Sequence, residues 1–221
     1  MKKIDFKKYL PYLGGVIIFL VLAAVYFYPV IEGYRIKQSD IKLSKGMSQE
    51  IRDHREVFDE EPLWLGNMFS GMPTFQVSTE FPGNLLQYVS KAITGGIPHP
   101  IGIVFAYMIG FFIFSLSLRI SPLISIVGAI AYGFSSYFII ILEAGHNTKA
   151  LAIAYVPPML AGLITMYRGK ELLGFVLTAI FVGLELFANH FQITYYSALI
   201  ILVIAVVNLI AYSKDKKISL F

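Results

Sequence analysis

The chain has 221 residues, 57% of them apolar and only 14% charged, with a mean hydropathy of +0.69. A soluble domain runs nearer half apolar and a quarter charged, so much of this chain requires a solvent other than water, and lipid supplies it. The net charge of +4 and the pI near 9.1 do not make a nucleic-acid binder, because the lysines gather at segment ends, as topology determinants do. The chain contains no cysteine, which excludes disulfides, thiolate catalysis and cysteine-based zinc sites.

Residues 1–9 form a basic start with Lys2, Lys3, Lys7 and Lys8. The apolar run from Leu10 to Ile31 that follows is too long for a signal peptide, and Tyr26-Phe27-Tyr28-Pro29 offers no small-x-small cleavage site. An uncleaved first transmembrane helix is predicted over 10–31. The polar segment 32–99 holds nine of the fourteen acidic residues. Within it, Met47 to Glu60 has helical spacing, with Ile51, His54 and Phe58 along one side. Pro62 to Phe75 reads as an ordered loop. Leu85, Leu86, Val89 and Ile93 predict a short amphipathic helix lying at a membrane surface.

Residues 100–212 carry five apolar runs, near 100–118, 121–142, 150–167, 172–189 and 193–212. Each is close to the roughly 20 residues that a bilayer core demands. A closed barrel needs alternating strands, whereas these runs are continuous, so helices are expected. Pro157-Pro158 removes backbone donors and predicts a kink. The tail 213–221 leads into no further element and is expected to be truncated. The fold class is therefore an all-α polytopic membrane protein, with about six transmembrane helices and a long loop after the first.

Orientation follows from the short connections. One side collects Lys2, Lys3, Lys7, Lys8, Arg119, Arg168, Lys170, Lys214, Lys216 and Lys217; the other has only Lys149 outside the long 32–99 segment. The N-terminus and the 119, 168–171 and 213–217 connections are predicted to be cytoplasmic, and the 32–99, 143–149 and 190–193 connections to face out.

All four histidines, His54, His99, His146 and His190, then fall on the outer side. So do Glu143, in Glu143-Ala144-Gly145-His146-Asn147-Thr148-Lys149, and Glu185, about one turn inside the fifth helix. Ionisable groups at membrane depth are costly and usually face a cavity; the bland alternative is snorkelling to headgroups. Glu185 is four residues from Asn189, which predicts an inward polar stripe. Asp40 lies just beyond the first helix, where a plain loop aspartate is the competing reading. Glu143 and His146 at i, i+3 can offer two ligands to a divalent cation, although the glycine between them disrupts a helical placement. Walker A, dinucleotide-glycine, His-Glu-x-x-His and Gly-x-Ser-x-Gly patterns are absent.

Gln38-Ser39-Asp40, Pro62-Leu63-Trp64 with Gly71-Met72-Pro73-Thr74, Gly145-His146-Asn147-Thr148-Lys149 and Asn189-His190-Phe191-Gln192-Ile193-Thr194-Tyr195-Tyr196 together resemble the N-terminal part of a YfhO-type membrane protein. The layout is similar to that of the GT-C class of membrane glycosyltransferases. Family members are longer, so the chain is expected to be an N-terminal module, with independent activity in question. The resemblance implies a multi-pass protein of the bacterial cytoplasmic membrane. Its implied reaction moves a sugar from a polyprenyl-phosphate donor to an envelope glycan acceptor on the outer face. It further implies Asp40 as the catalytic base, with Glu143, His146, Lys149, Glu185 and His190 binding substrate, and it leaves open whether a divalent metal takes part. Two other classes compete: a transporter or lipid flippase using Glu143, Glu185 and His190 as a polar pathway, and a non-catalytic scaffold or fragment.

Overall fold

The computed structural model describes residues 6–78 and 83–214, excluding the Lys214 side chain. The orientation argument's Lys2, Lys3, Lys216 and Lys217, and the tail beyond Lys214, lie outside them. The described chain is predominantly helical. In order it comprises α1 (Leu10–Tyr26), α2 (Tyr28–Ile31), α3 (Ser39–Met47), α4 (Gln49–Phe58), β1 (Trp64–Leu65), β2 (Met72–Pro73), α5 (Leu86–Ile93), α6 (Ile101–Ser117), α7 (Pro122–Gly133), α8 (Ser136–Ala144), α9 (Asn147–Tyr167), α10 (Glu171–Phe187) and α11 (Phe191–Lys214). The two strands form a small antiparallel hairpin, Trp64 opposite Pro73 and Leu65 opposite Met72.

Among the described residues, three stretches are long and apolar enough to cross a membrane: Pro122–Ala144, Asn147–Tyr167 and Phe191–Ser213. Leu10–Tyr26 and Ile101–Ser117 are shorter apolar helices. The first of the long stretches is broken at Phe134 and Ser135 into α7 and α8, where the sequence reading expected one continuous run. Only 6% of the apolar window of α11 is buried, and Leu202, Val203, Val207 and Leu209 are all exposed. A face of that size is compatible with lipid and foreign to a water-exposed monomer.

The centre of the bundle is α6 and α9, each packed against several neighbours. Small residues set their separation: a Cβ on Gly110 would lie 2.9 Å from the Ala154 carbonyl and 3.0 Å from Pro158 Cδ. Pro158 cannot donate to Ala154, so α6 approaches α9 at the carbonyl that the proline leaves without its helical partner. The helix nevertheless runs unbroken through Pro157 and Pro158, both buried. On one flank, α1 presents Gly15, Phe19 and Ala23 at helical spacing to α6 and α7, with Phe19 edge-on to Phe112 at 5.5 Å. On the other, α10 packs along α9, and α11 adds a lighter contact to α9.

Short connections make successive helices antiparallel. The C-terminal ends of α1, α8 and α10 therefore lie with the N-terminal ends of α6, α9 and α11. The polar segment gathers at this same end. Ser90 of α5 shares a 2.7 Å hydrogen bond with Tyr155 of α9, and Asn189 Nδ2 donates to the Phe75 carbonyl at 3.2 Å. At the opposite end, an Arg168 guanidinium donates to the Ser117 carbonyl.

Candidate functional site

The site forms where the chain after α1 folds back onto the corner between α8 and α9. Gly145 makes that corner possible. Its φ is +103°, a left-handed conformation that ends α8, and glycine adopts it without steric cost. It also makes a close approach: a Cβ there would lie 3.1 Å from Gln38 Cβ and 3.2 Å from both the backbone N and Cγ1 of Ile41. The start of α3 is thus seated directly on the corner.

Three polar links secure this seat. Gln38 Nε2 donates to the Leu142 carbonyl at 2.6 Å, one of the acceptors left over at the end of a helix. Gln38 and Asn147 also pair through their side-chain amides, at 3.0 and 3.3 Å. Asn147 Oδ1 lies 2.8 Å from His99 Nε2, so one asparagine joins α3, α9 and the residues leading into α6. Desolvation holds His99 below the ordinary histidine pKa, partly opposed by its bond to Asn147.

Asp40 sits in the first turn of α3, not in the loop considered as the plain reading of the sequence. One carboxylate oxygen lies 3.4 Å from His146 Nε2, with both side chains about half exposed. Lys149, in the first turn of α9, stands over the Tyr137 ring at 5.2 Å from its centroid, a cation–π contact. His190 lies close enough to feel the charges of Lys149 and His146. Its pKa is lowered chiefly by desolvation; a backbone hydrogen bond of its own opposes this, and Lys149 and His146 add to the lowering. Among the described residues its buried Nδ1 has no side-chain hydrogen-bond partner. Asp40 thus meets His146 directly, and the charges of His146 and Lys149 reach His190.

The two glutamates stand apart. Glu185 is 1% exposed and accepts a 2.6 Å hydrogen bond from Ser197 Oγ of α11; it ties two helices together. Glu143 is exposed, and among the described residues no hydrogen bond or ion pair joins it to the other candidates. The expected stripe through Glu185 and Asn189 does not form, because α10 ends at Phe187 and Asn189 turns out of the helix with a left-handed φ of 55°. Among the described residues, no three His, Asp or Glu side chains gather to hold a metal ion.

Gln38 and Asn147 build the site, although the sequence pattern assigns them no role. The signal was there: uncharged amides flanking an aspartate and a histidine, both beside helix ends that need hydrogen-bond partners. The chain matches no protein-family model, no curated protein and no solved structure.

Proposed function

We propose that this is a GT-C-like membrane glycosyltransferase, a multi-pass protein of about six spans in the bacterial cytoplasmic membrane, that moves a sugar from a polyprenyl-phosphate donor to an envelope acceptor on the outer face. The observation that carries the reading is the meeting of Asp40 with His146, at 3.4 Å, beside the cationic Lys149 and at the end of the bundle where the polar segment folds. A lipid-linked donor places its phosphate at the headgroup plane. Transfer there needs a carboxylate within reach of an incoming hydroxyl and positive charge near the departing phosphate.

The step balances as follows. The acceptor hydroxyl oxygen forms a bond to the anomeric carbon as the bond from that carbon to the phosphate oxygen breaks. The electron pair leaves with the polyprenyl phosphate, and the hydroxyl proton passes to Asp40. His146 orients the Asp40 carboxylate, and Lys149 faces the negative charge that develops on the phosphate. A transport pathway is the weaker reading, because it calls for ionisable groups near the bilayer midplane. Glu185 lies within a turn of the α10 C-terminus and is occupied by Ser197.

The test uses membranes from cells expressing the protein, supplied with a polyprenyl-phosphate hexose carrying a labelled sugar. Asp40→Asn keeps the shape of the side chain and removes its ability to take a proton. Loss of a general base lowers a rate by about 10²–10⁴, so turnover should fall by that factor at matched expression. Near-normal turnover would remove Asp40 as the base, and no consumption of donor by the wild type would remove the transfer reading.

A further inference from the structure

Beside the Asp40–His146 pair lies a cleft of about 710 Å³ whose polar lining includes Arg35, Lys37, Lys42, Lys45 and His99, with no carboxylate among the described residues. Two elements converge their cations on it. Ile41, Lys42 and Lys45 share one face of α3, Gln38 stands at the start of that helix, and all four line the cleft. Arg35 and Lys37 come from the irregular run that precedes α3. Asp40 is turned off that face, toward His146.

A run of lysines is ordinarily a solvated surface, and two observations set this one apart. Among the described residues none of the four cations pairs with a carboxylate, although the same polar segment is rich in acids. Several of those acids have partners elsewhere: Glu61 binds Arg55 at 2.8 Å, and Glu50 accepts from the Gly66 and Asn67 amides at 3.0 Å each. Four like charges around one concavity also repel one another, and an anion there relieves the repulsion. Location narrows the choice of anion. Val30, at the end of α2, and Pro98, just before α6, bound the cleft together with Tyr34 and Ile36. It opens at the level where the apolar helices end, with apolar wall on the helix side and charge on the other.

We propose that this cleft binds the phosphate of a membrane-anchored lipid phosphate, held between Arg35 and Lys37 on one wall and Lys42 and Lys45 on the other. The shared chemistry is a phosphoryl anion, and the apolar wall selects the lipid-borne source over a soluble one. The proposal rests on reading this end of the bundle as lying at a membrane surface, and it deepens the proposed function by giving the lipid phosphate a place on the face of α3 that adjoins the one bearing Asp40.

The experiment places the protein in phosphatidylcholine nanodiscs and titrates in a photoreactive polyprenyl monophosphate, reading crosslinked fraction against lipid-phosphate content. Replacing Arg35, Lys37, Lys42 and Lys45 together by glutamine should raise half-saturation by at least about tenfold, since each cation near a lipid surface contributes measurably to anion attraction. The paired variants Arg35→Gln/Lys37→Gln and Lys42→Gln/Lys45→Gln should each give a smaller rise, and they carry the test if the fourfold variant fails to fold. Lys91→Gln, a cation of α5 outside the cleft, should bind as the wild type does. Wild-type binding by a folded paired or fourfold variant would overturn the proposal, as would displacement of the lipid by equimolar inorganic pyrophosphate, which would mark a soluble-anion site. Intact binding without sugar transfer by the wild type would refute the transferase reading alone. Transfer that depends on Asp40 but survives neutralisation of the cleft would refute the lipid-phosphate site alone.

Discussion

Replacing Gly174 by alanine tests the close crossing of α9 and α10. A Cβ at Gly174 would lie 2.3 Å from Met166 N, 2.5 Å from Met166 Cα and 2.6 Å from the Gly162 carbonyl. All three are backbone atoms of α9, so no side-chain rotation relieves the clash. Gly162 on α9 faces the same crossing, with a Cβ there 2.7 Å from Thr178 N. Ordinary contact begins near 3.4 Å, and the two helices must part by about an ångström to admit one methyl group. Overpacking of this kind costs about 1–3 kcal/mol, occasionally more, against a gain of about 0.5–1 kcal/mol from placing alanine in a helix. The net expectation is a loss of about 1–2 kcal/mol. Gly14→Ala is the control: its Cβ meets nothing within 4 Å, so only the helix gain applies and stability should hold or rise. Thermal unfolding of detergent-solubilised variants, followed by size-exclusion of the folded fraction, measures both. Equal melting of Gly174→Ala and the wild type would refute the close α9–α10 packing, which makes close backbone approach the organising contact of this side of the bundle.

Other outcomes follow from the same structure. Ser197→Ala leaves the buried Glu185 carboxyl without its 2.6 Å donor and should cost about 1–2 kcal/mol, within the range for unsatisfied buried groups and hydrogen bonds between membrane helices; an unchanged melting temperature would mean that α11 does not dock through this pair. Burial holds His99 and His190 below the ordinary value of 6.5, so the folded state binds protons less readily than the unfolded state. Stability is therefore indifferent to these groups above about pH 6.5 and declines as pH falls through that value toward their folded pKa, then levels off. Melting between pH 8 and pH 5 should show the decline, and His99→Gln/His190→Gln should flatten it. A variant that declines as steeply as the wild type would contradict the assignment.

The helices were legible where the apolar runs were long and bounded by charge: α6, α9, α10 and α11 begin and end within a few residues of the runs read from composition. The division of α7 from α8 was hidden inside an apolar stretch. Its traces are Gly133 and the Ser135-Ser136 pair, residues that favour turns and helix starts. Asn189 misled because four-residue spacing implies a shared face only while the helix lasts, and asparagine is among the few residues that readily leave a helix in a left-handed conformation. Asp40 and His146 could be named from motifs, but their contact spans more than a hundred residues, and nothing local in the sequence encodes the seating of α3 on Gly145. The cationic cleft went unread for a different reason. Arg35, Lys37, Lys42 and Lys45 lie in a segment too long to inform orientation, and only the spacing of Ile41, Lys42 and Lys45 marks one face of a helix there.

Everything proposed for Asp40, His146 and the cleft depends on one claim: that the bundle spans a bilayer with this end outside. The absence of cysteine makes the measurement direct. Single cysteines at Glu56, Thr148 and Lys170, all exposed positions, can be challenged in intact cells with a membrane-impermeant maleimide, then again after permeabilisation. Labelling of Glu56→Cys and Thr148→Cys in intact cells, with Lys170→Cys reacting only after permeabilisation, is the predicted result. Labelling of Thr148→Cys only after permeabilisation, with Lys170→Cys reactive from outside, would invert the bundle and contradict the account.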